Sequence, residues 1–89
     1  MIVRLSSSLR RLAGGQAVVS ESAATVGDLL DHLGERFPGF AARVCEPDGA
    51  IRRHINIFVN GHDVRNLKGR ATPLVESDEV IIAAAMAGG

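Results

Sequence analysis

The sequence predicts an α+β roll, a mixed β-sheet with one main helix packed across one face. Two observations carry this reading. Between Thr25 and Pro38, Val26, Leu29, Leu30, Leu33 and Phe37 recur at helical spacing and form a single apolar stripe, as in a helix that buries one side. In residues 1–5, 54–60 and 80–84 the apolar residues are instead β-type, alternating or running without interruption, which is the pattern of strands. A single helix covers one face of a sheet, so the second face is expected to stay open.

Residues 1–5 alternate with Val3 and Leu5 on one side and form the first strand. A second strand is expected over residues 16–20. The connection holds Ser6-Ser7-Ser8, a short Leu9-Arg10-Arg11-Leu12 stretch and Gly14-Gly15, whose glycines supply the positive φ of a hairpin turn, so the pair reads as an antiparallel hairpin with a long loop. Thr25 stands three residues ahead of Asp28 and fits a helix N-cap with an acidic first turn. Asp28, Asp31, Glu35 and Arg36 take the polar side of that helix, and Phe37-Pro38-Gly39 stops it, because the residue before proline is pushed out of the helical region. Each large stripe residue contributes roughly 1.5–3 kcal/mol when fully buried, which docks the helix on the sheet. A short helical segment over residues 40–44 leads into the turn Glu46-Pro47-Asp48-Gly49. Residues 54–60 are the clearest strand: Ile55, Ile57 and Val59 share one face, Asn56, Phe58 and Asn60 the other, and Asn60-Gly61 marks a tight turn. Residues 64–73 read as a loop broken by Gly69 and Pro73, and residues 76–79 as the turn before the terminal strand over 80–84.

Composition narrows the function classes. Eighty-nine residues make one domain, and with Phe37, Phe40 and Phe58 as the only aromatics its core is expected to be built from Val, Ile, Leu and Ala. Ten basic residues balance ten acidic ones, which argues against a nucleic-acid partner because phosphate-backbone binding needs a basic face. No apolar run is long enough to span a membrane, and Met1-Ile2-Val3-Arg4 enters the first strand without a signal-peptide pattern. A cytoplasmic protein is expected. Cys45 is the single cysteine and has no internal disulfide partner, in keeping with a reducing compartment.

The sequence closes on Ala87-Gly88-Gly89, a few residues after the last strand. At average glycine usage two terminal glycines arise by chance in about 0.5% of chains, and the plainer alternative is a frayed end. A glycine terminus threads a channel too narrow for side chains. The expected division is therefore a folded domain over residues 1–84 and a flexible tail over 85–89, with Ala87 and Gly88 threading and the Gly89 carboxylate as the group that another enzyme reaches. Elsewhere no catalytic constellation emerges. Cys45 has no neighbouring base in sequence and reads as a partly buried hydrophobe. His32, His54 and His62 lack paired-ligand spacing, so no metal site is expected. Asp28, Asp31 and Glu35 read as a solvated helix face. Phe58 alternates against Ile55, Ile57 and Val59, and with Ile81 and Ala83 it is expected to form an apolar docking patch on the open face, unless Phe40 or the Leu9 to Leu12 loop folds over it.

On these residues the chain resembles a known family, the MoaD/ThiS-type ubiquitin-like β-grasp sulfur carriers. That family includes the small subunit of molybdopterin synthase, the thiamin sulfur carrier and the carrier of a cysteine-synthesis pathway. The most specific part is Ile55-Asn56-Ile57-Phe58-Val59-Asn60-Gly61-His62-Asp63-Val64-Arg65, similar to the family's strand followed by Asn-x-x-x-Val. Residues 71–80 are similar to its final turn and strand, and Ala87-Gly88-Gly89 closes the match. Ser77-Asp78 and Ala84-Ala85-Met86 depart from the family's frequent Gly-Asp and Pro-containing tail. The resemblance implies a ubiquitin-like β-grasp fold and a sulfur carrier rather than an enzyme. A ubiquitin-activating-type adenylyltransferase would convert Gly89 to an acyl-adenylate with ATP and magnesium, a persulfide donor would replace the adenylate with sulfur, and an acceptor synthase would receive the sulfur from the thiocarboxylate. No phosphate-cradling motif stands in this chain, so ATP and magnesium are expected to belong to the partner and no cofactor to bind tightly here. The acceptor pathway is of the cysteine, molybdopterin or thiamin type, with residues 63–80 closer to the cysteine carrier. The alternative implied by the same chemistry is a protein modifier joined through Gly89 to target lysines.

Overall fold

Strand alternation at the start of the chain becomes β1 (Ile2–Leu5), where Val3 and Leu5 are buried and Ile2 and Arg4 face out. The computed structural model describes residues 1–85. Beyond β1 the chain runs through α1 (Ser7–Arg10), β2 (Val18–Ser20), α2 (Val26–Arg36), α3 (Phe40–Val44), β3 (Ile55–Val59), β4 (His62–Asp63) and β5 (Glu79–Ala84). The five strands form one sheet in the order β2-β1-β5-β3-β4. β1 and β5 pair in parallel, Val3 against Val80 and Leu5 against Ile82, and every other pair is antiparallel. This is the mixed sheet of a β-grasp fold.

The expected helix forms as read. Thr25 Oγ1 accepts the Asp28 N–H at 3.1 Å, satisfying one of the first-turn donors that have no partner within the helix. Phe37 ends α2 in an extended conformation, φ −122° and ψ 106°, as its position before Pro38 requires. Val26, Leu29, Leu30 and Leu33 are buried against Val3, Leu5, Ile55, Ile57, Val80 and Ile82 in one continuous core, and Phe37 packs at its edge. α3 lies close against α2 because Gly34 has no side chain: a Cβ there would come within 2.7 Å of the Ala41 Cβ. That approach seats Phe40, fully buried, in the core. At Asn60-Gly61 both residues take positive φ, 51° and 85°, the conformation of the tight turn expected there.

Four expectations change. The long connection after β1 is not an open hairpin loop. It winds into α1 and a 3-10 turn over Arg11–Ala13, burying Leu9 and Ala13 in the core. The second strand is correspondingly shorter than 16–20, since the Gln16 N–H and Nε2 both bond the Ala13 carbonyl and tie that residue to the turn. A fifth strand appears where none was expected, because the Asn60-Gly61 turn folds β4 back on β3. Residues 64–73 contain two 3-10 turns, Val64–Asn66 and Gly69–Ala71. This segment clips onto the start of α2 through Val26 N–H to Thr72 O at 3.0 Å and Leu74 N–H to Ala24 O at 2.9 Å, and it buries Val64 and Leu74.

Candidate functional site

The end of β5 sets where the chain leaves the sheet. At Ala84 the N–H donates to Ser6 Oγ at 3.1 Å, and at Ala85 the N–H donates to the His54 carbonyl at 2.7 Å, so the last two described residues are held from opposite sides. Ser6 itself is fixed by its N–H bond to the Ile82 carbonyl, 3.1 Å. On the other flank, Arg65 Nη2 donates to the carbonyls of Arg52 at 3.0 Å and Ile55 at 2.6 Å, while Nη1 reaches Asn56 Oδ1 at 3.3 Å. The guanidinium thereby closes the entry to β3, the segment that carries the His54 carbonyl. Sequence reading placed Arg65 only within a family segment; its role arises from contacts 9 to 13 residues away. The pairing reaches Ala85, one residue past the expected domain end at 84. Ala87, Gly88 and Gly89 lie outside the described residues.

The face of the sheet opposite α2 carries the expected patch residues together. Phe58 pairs with Ile81 and Asn56 with Ala83 in the β3–β5 ladder, and Phe58, Ile81 and Ala83 are all partly exposed. Neither of the segments considered as covers lies over Phe58: Leu9 and Phe40 are both buried in the core cluster. The parallel β1–β5 register then adds neighbours that alternation within single strands does not reveal. Arg4 stands beside Ile81 and is flanked on β2 by Val18. Ile2 and Val18 are 44% and 40% exposed, which extends the apolar surface across two more strand positions, and Arg4 Nε bonds Glu79 Oε2 at 3.2 Å within it. The patch is thus an apolar strip with one ion pair at its middle.

The remaining candidates separate from this face. Cys45 is partly buried, with Arg70 Nη1 at 3.6 Å from its sulfur, on the wall of a cavity of about 320 Å³ shared with Arg52 and Asp31. Burial pushes the Cys45 thiol up from its ordinary value, outweighing the downward pull of Arg70, so the thiolate form needed for nucleophilic attack is disfavoured. Arg70 is a structural crosslink, donating to Gly49 O at 2.8 Å and pairing with Asp31 at 3.1 Å. Asp28 and Glu35 stay exposed on α2, and His32 Nδ1 lies 2.9 Å from the Ser22 carbonyl. Among the described residues no three His, Cys, Asp or Glu side chains come together as metal ligands, and no helix is long and apolar enough to cross a membrane.

Comparison with known proteins places this geometry among named relatives. The sequence matches the ThiS family over residues 3–89. It is 38% identical over 89 residues to the sulfur carrier protein CysO of Mycobacterium tuberculosis, covering 98% of this chain and 96% of that protein. It is 35% identical over 89 residues to Small archaeal modifier protein 3 of Haloferax volcanii, with the same two coverages. Among solved structures, a chain of the Amycolatopsis orientalis BexX/CysO complex superposes with a TM-score of 0.91 at 33% identity, covering 99% of this chain and 98% of that one.

Proposed function

We propose, because this chain belongs to the ThiS family, that it is a sulfur carrier whose cargo is held at the Gly89 carboxyl group. The observation that carries the reading is the family match running through to Gly89, beyond a β5 exit held on both flanks by Ser6 and His54. A carboxylate oxygen is a poor leaving group, so sulfur enters only after activation. An adenylyltransferase of the ubiquitin-activating type uses ATP and magnesium to form the Gly89 acyl-adenylate. The terminal sulfur of a persulfide donor displaces AMP to give an acyl disulfide, and a thiol reductant cleaves its S–S bond, leaving the thiocarboxylate on Gly89 and a disulfide on the donor side. Ala87 and Gly88 bring no side chain larger than a methyl group to the activating site. The CysO relatives point to a synthase of cysteine formation as the sulfur acceptor, ahead of molybdopterin or thiazole synthases. The protein performs no catalysis in this scheme and is a cosubstrate of its partners.

The test is direct. Purified protein incubated with an activating enzyme, ATP, magnesium and a sulfur donor is expected to gain the mass of one oxygen-to-sulfur exchange, located at Gly89 by C-terminal peptide analysis. Sulfur found on Cys45, or no exchange with any activating enzyme encoded alongside the protein, sinks the reading. The 35% identity to a small archaeal modifier protein favours one second reading, in which the same adenylate joins Gly89 to lysines of target proteins. Free thiocarboxylate in cell extracts supports the carrier, and isopeptide conjugates to proteins other than this chain support the modifier.

The open sheet face is the proposed dock for the activating enzyme. Phe58→Asp is expected to raise the Kd for that enzyme at least about tenfold, since an unpaired carboxylate buried under a partner costs several kcal/mol. In the free protein the same carboxylate stays hydrated at a partly exposed strand position, and the denaturant midpoint is expected to move little. Unfolding of the variant would place Phe58 in the core. An unchanged Kd would move the dock to the tail or another surface.

A further inference from the structure

Of the ten Lys and Arg residues in this chain, nine are arginine and one, Lys68, is lysine. The distinction is chemical. A guanidinium is always protonated in proteins and does not attack activated carboxyl groups, whereas a lysine that loses its proton is a nucleophilic amine. The α-amine of Met1 is engaged, donating to the Glu21 carbonyl at 2.7 Å and to Glu76 Oε2 at 3.3 Å, at a residue only 7% exposed. Lys68, by contrast, is exposed and has no carboxylate within ion-pair distance among the described residues. Its backbone is pinned: the N–H donates to Thr72 Oγ1 at 3.1 Å and the carbonyl accepts the Ala71 N–H at 2.9 Å. This fixed turn places Lys68 in the lining of a groove of about 460 Å³, together with Val59, His62, Leu67 and Pro73. Leu67 in that lining is 47% exposed.

We propose that Lys68 is the acceptor amine of this protein, at which an activated Gly89 from a second copy forms an amide bond after its tail enters the groove. The proposal rests on the reading that the Gly89 carboxyl is activated. The Lys68 amine attacks the carbonyl carbon of the acyl-adenylate, which ATP and the adenylyltransferase supply; the carbon–nitrogen bond forms, the bond to AMP breaks with its electron pair leaving on AMP, and the amine's proton passes to solvent. Tail chemistry and geometry argue for a second copy as occupant. Residues 85–89 are apolar and, apart from Met86, no larger than alanine, and the groove sets Val59, Leu67 and Pro73 beside the polar Asn60, Thr72 and Asp78 in its lining. The groove adjoins Val59, which pairs with Val80 at the start of β5, whereas the tail departs beyond Ala84, which pairs with Ile55 at the other end. Retracing β5 from Ala84 to Val80 takes about 13 Å at ~3.3 Å per residue, while five extended residues span at most about 17 Å. A chain's own tail would have to reverse and spend most of its length before turning toward its own Lys68.

The experiment uses the full chain with Gly89 prepared chemically as a thioester, so that no activating enzyme is involved. Failure here then reflects on Lys68 alone, and failure of enzymatic thiocarboxylate formation reflects on the carrier reading alone. Incubated at high protein concentration with an equal concentration of Nα-acetyl-lysine amide as competitor, the thioester is expected to give a dimer stable to hydroxylamine and reductant, with Gly89 linked to Lys68 by peptide mapping. Lys68→Arg, which keeps the charge, is expected to lower dimer yield at least about tenfold, and Leu67→Asp to lower it while circular dichroism and thermal unfolding stay unchanged. The proposal is overturned by hydrolysis or competitor capture without Lys68 modification, by linkage at the Met1 amine, by a circular monomer closed through Lys68, or by undiminished dimer formation in Lys68→Arg.

Discussion

Deleting Gly89, or replacing Gly88 with Val, is expected to abolish thiocarboxylate formation while leaving the domain as stable as before. The deletion shifts the terminal carboxyl group one residue back from the position that the proposed activating enzyme would address. The valine brings a β-branched side chain to a channel that, on the proposed reading, is too narrow for any residue but glycine. Stability is expected to hold because the described core extends from Met1 to Ile82, with Ala84 packed at its margin, and changes away from core and caps normally shift stability by no more than about 0.5 kcal/mol. The paired measurement is the oxygen-to-sulfur mass exchange beside the thermal midpoint. A midpoint that falls by many degrees on losing Gly89 would mean that the tail packs against the domain, and the threading argument would fail. Full exchange in Gly88→Val would show that the activating site does not require glycine there.

The largest stability loss is expected from Phe40→Ala. Phe40 is fully buried and opens α3, a helix of five residues too short to persist without its packing. Truncating a buried Phe costs about 3–5 kcal/mol through lost burial and the cavity left behind, a large share of the roughly 5–15 kcal/mol that holds a typical domain together. Gly34 and Ala41 already bring α2 and α3 close, so the backbone has little room to close the void. Urea unfolding followed by circular dichroism gives the value. A loss below about 1 kcal/mol, within the range of ordinary single substitutions, would contradict the burial of Phe40. The contrast with Phe58→Asp is informative, since two residues of one type are expected to affect fold and docking separately.

Why those two phenylalanines differ is only partly legible in the sequence. Alternation alone assigned Phe58 to the face opposite Ile55, Ile57 and Val59, and the structure agrees. Phe40 sits after Gly39, outside any periodic pattern long enough to orient it, and its burial follows from how α3 folds back on α2. The same divide runs through the basic residues. Lys68 stands out by residue type alone, yet grouping lysine with arginine as positive charge hides it. Its exposure and its distance from the β5 exit come from the fold.

The sequence by itself determined the features that depend on near neighbours. Thr25 caps α2, Phe37-Pro38 stops it, the Val26 to Leu33 stripe faces the sheet, Ile55 to Val59 alternates, and Asn60-Gly61 turns, because each depends on backbone preferences or periodicity within a few residues. The family resemblance was legible for the same reason, as local runs in a fixed order. Only the tertiary structure decided the parallel pairing of β1 with β5, which joins residues about the whole chain apart and builds the strip of Ile2, Arg4, Val18, Phe58 and Ile81. It also decided β4, whose two residues are too few to show a period, and the winding of residues 7–13 into turns that bury Leu9. Long-range crosslinks belong with these: Arg65 reaching the carbonyls around β3, and Ser6 and His54 holding Ala84 and Ala85. Such contacts join polar groups whose partners are fixed by packing of the intervening chain, and no pattern within a short window of sequence specifies them.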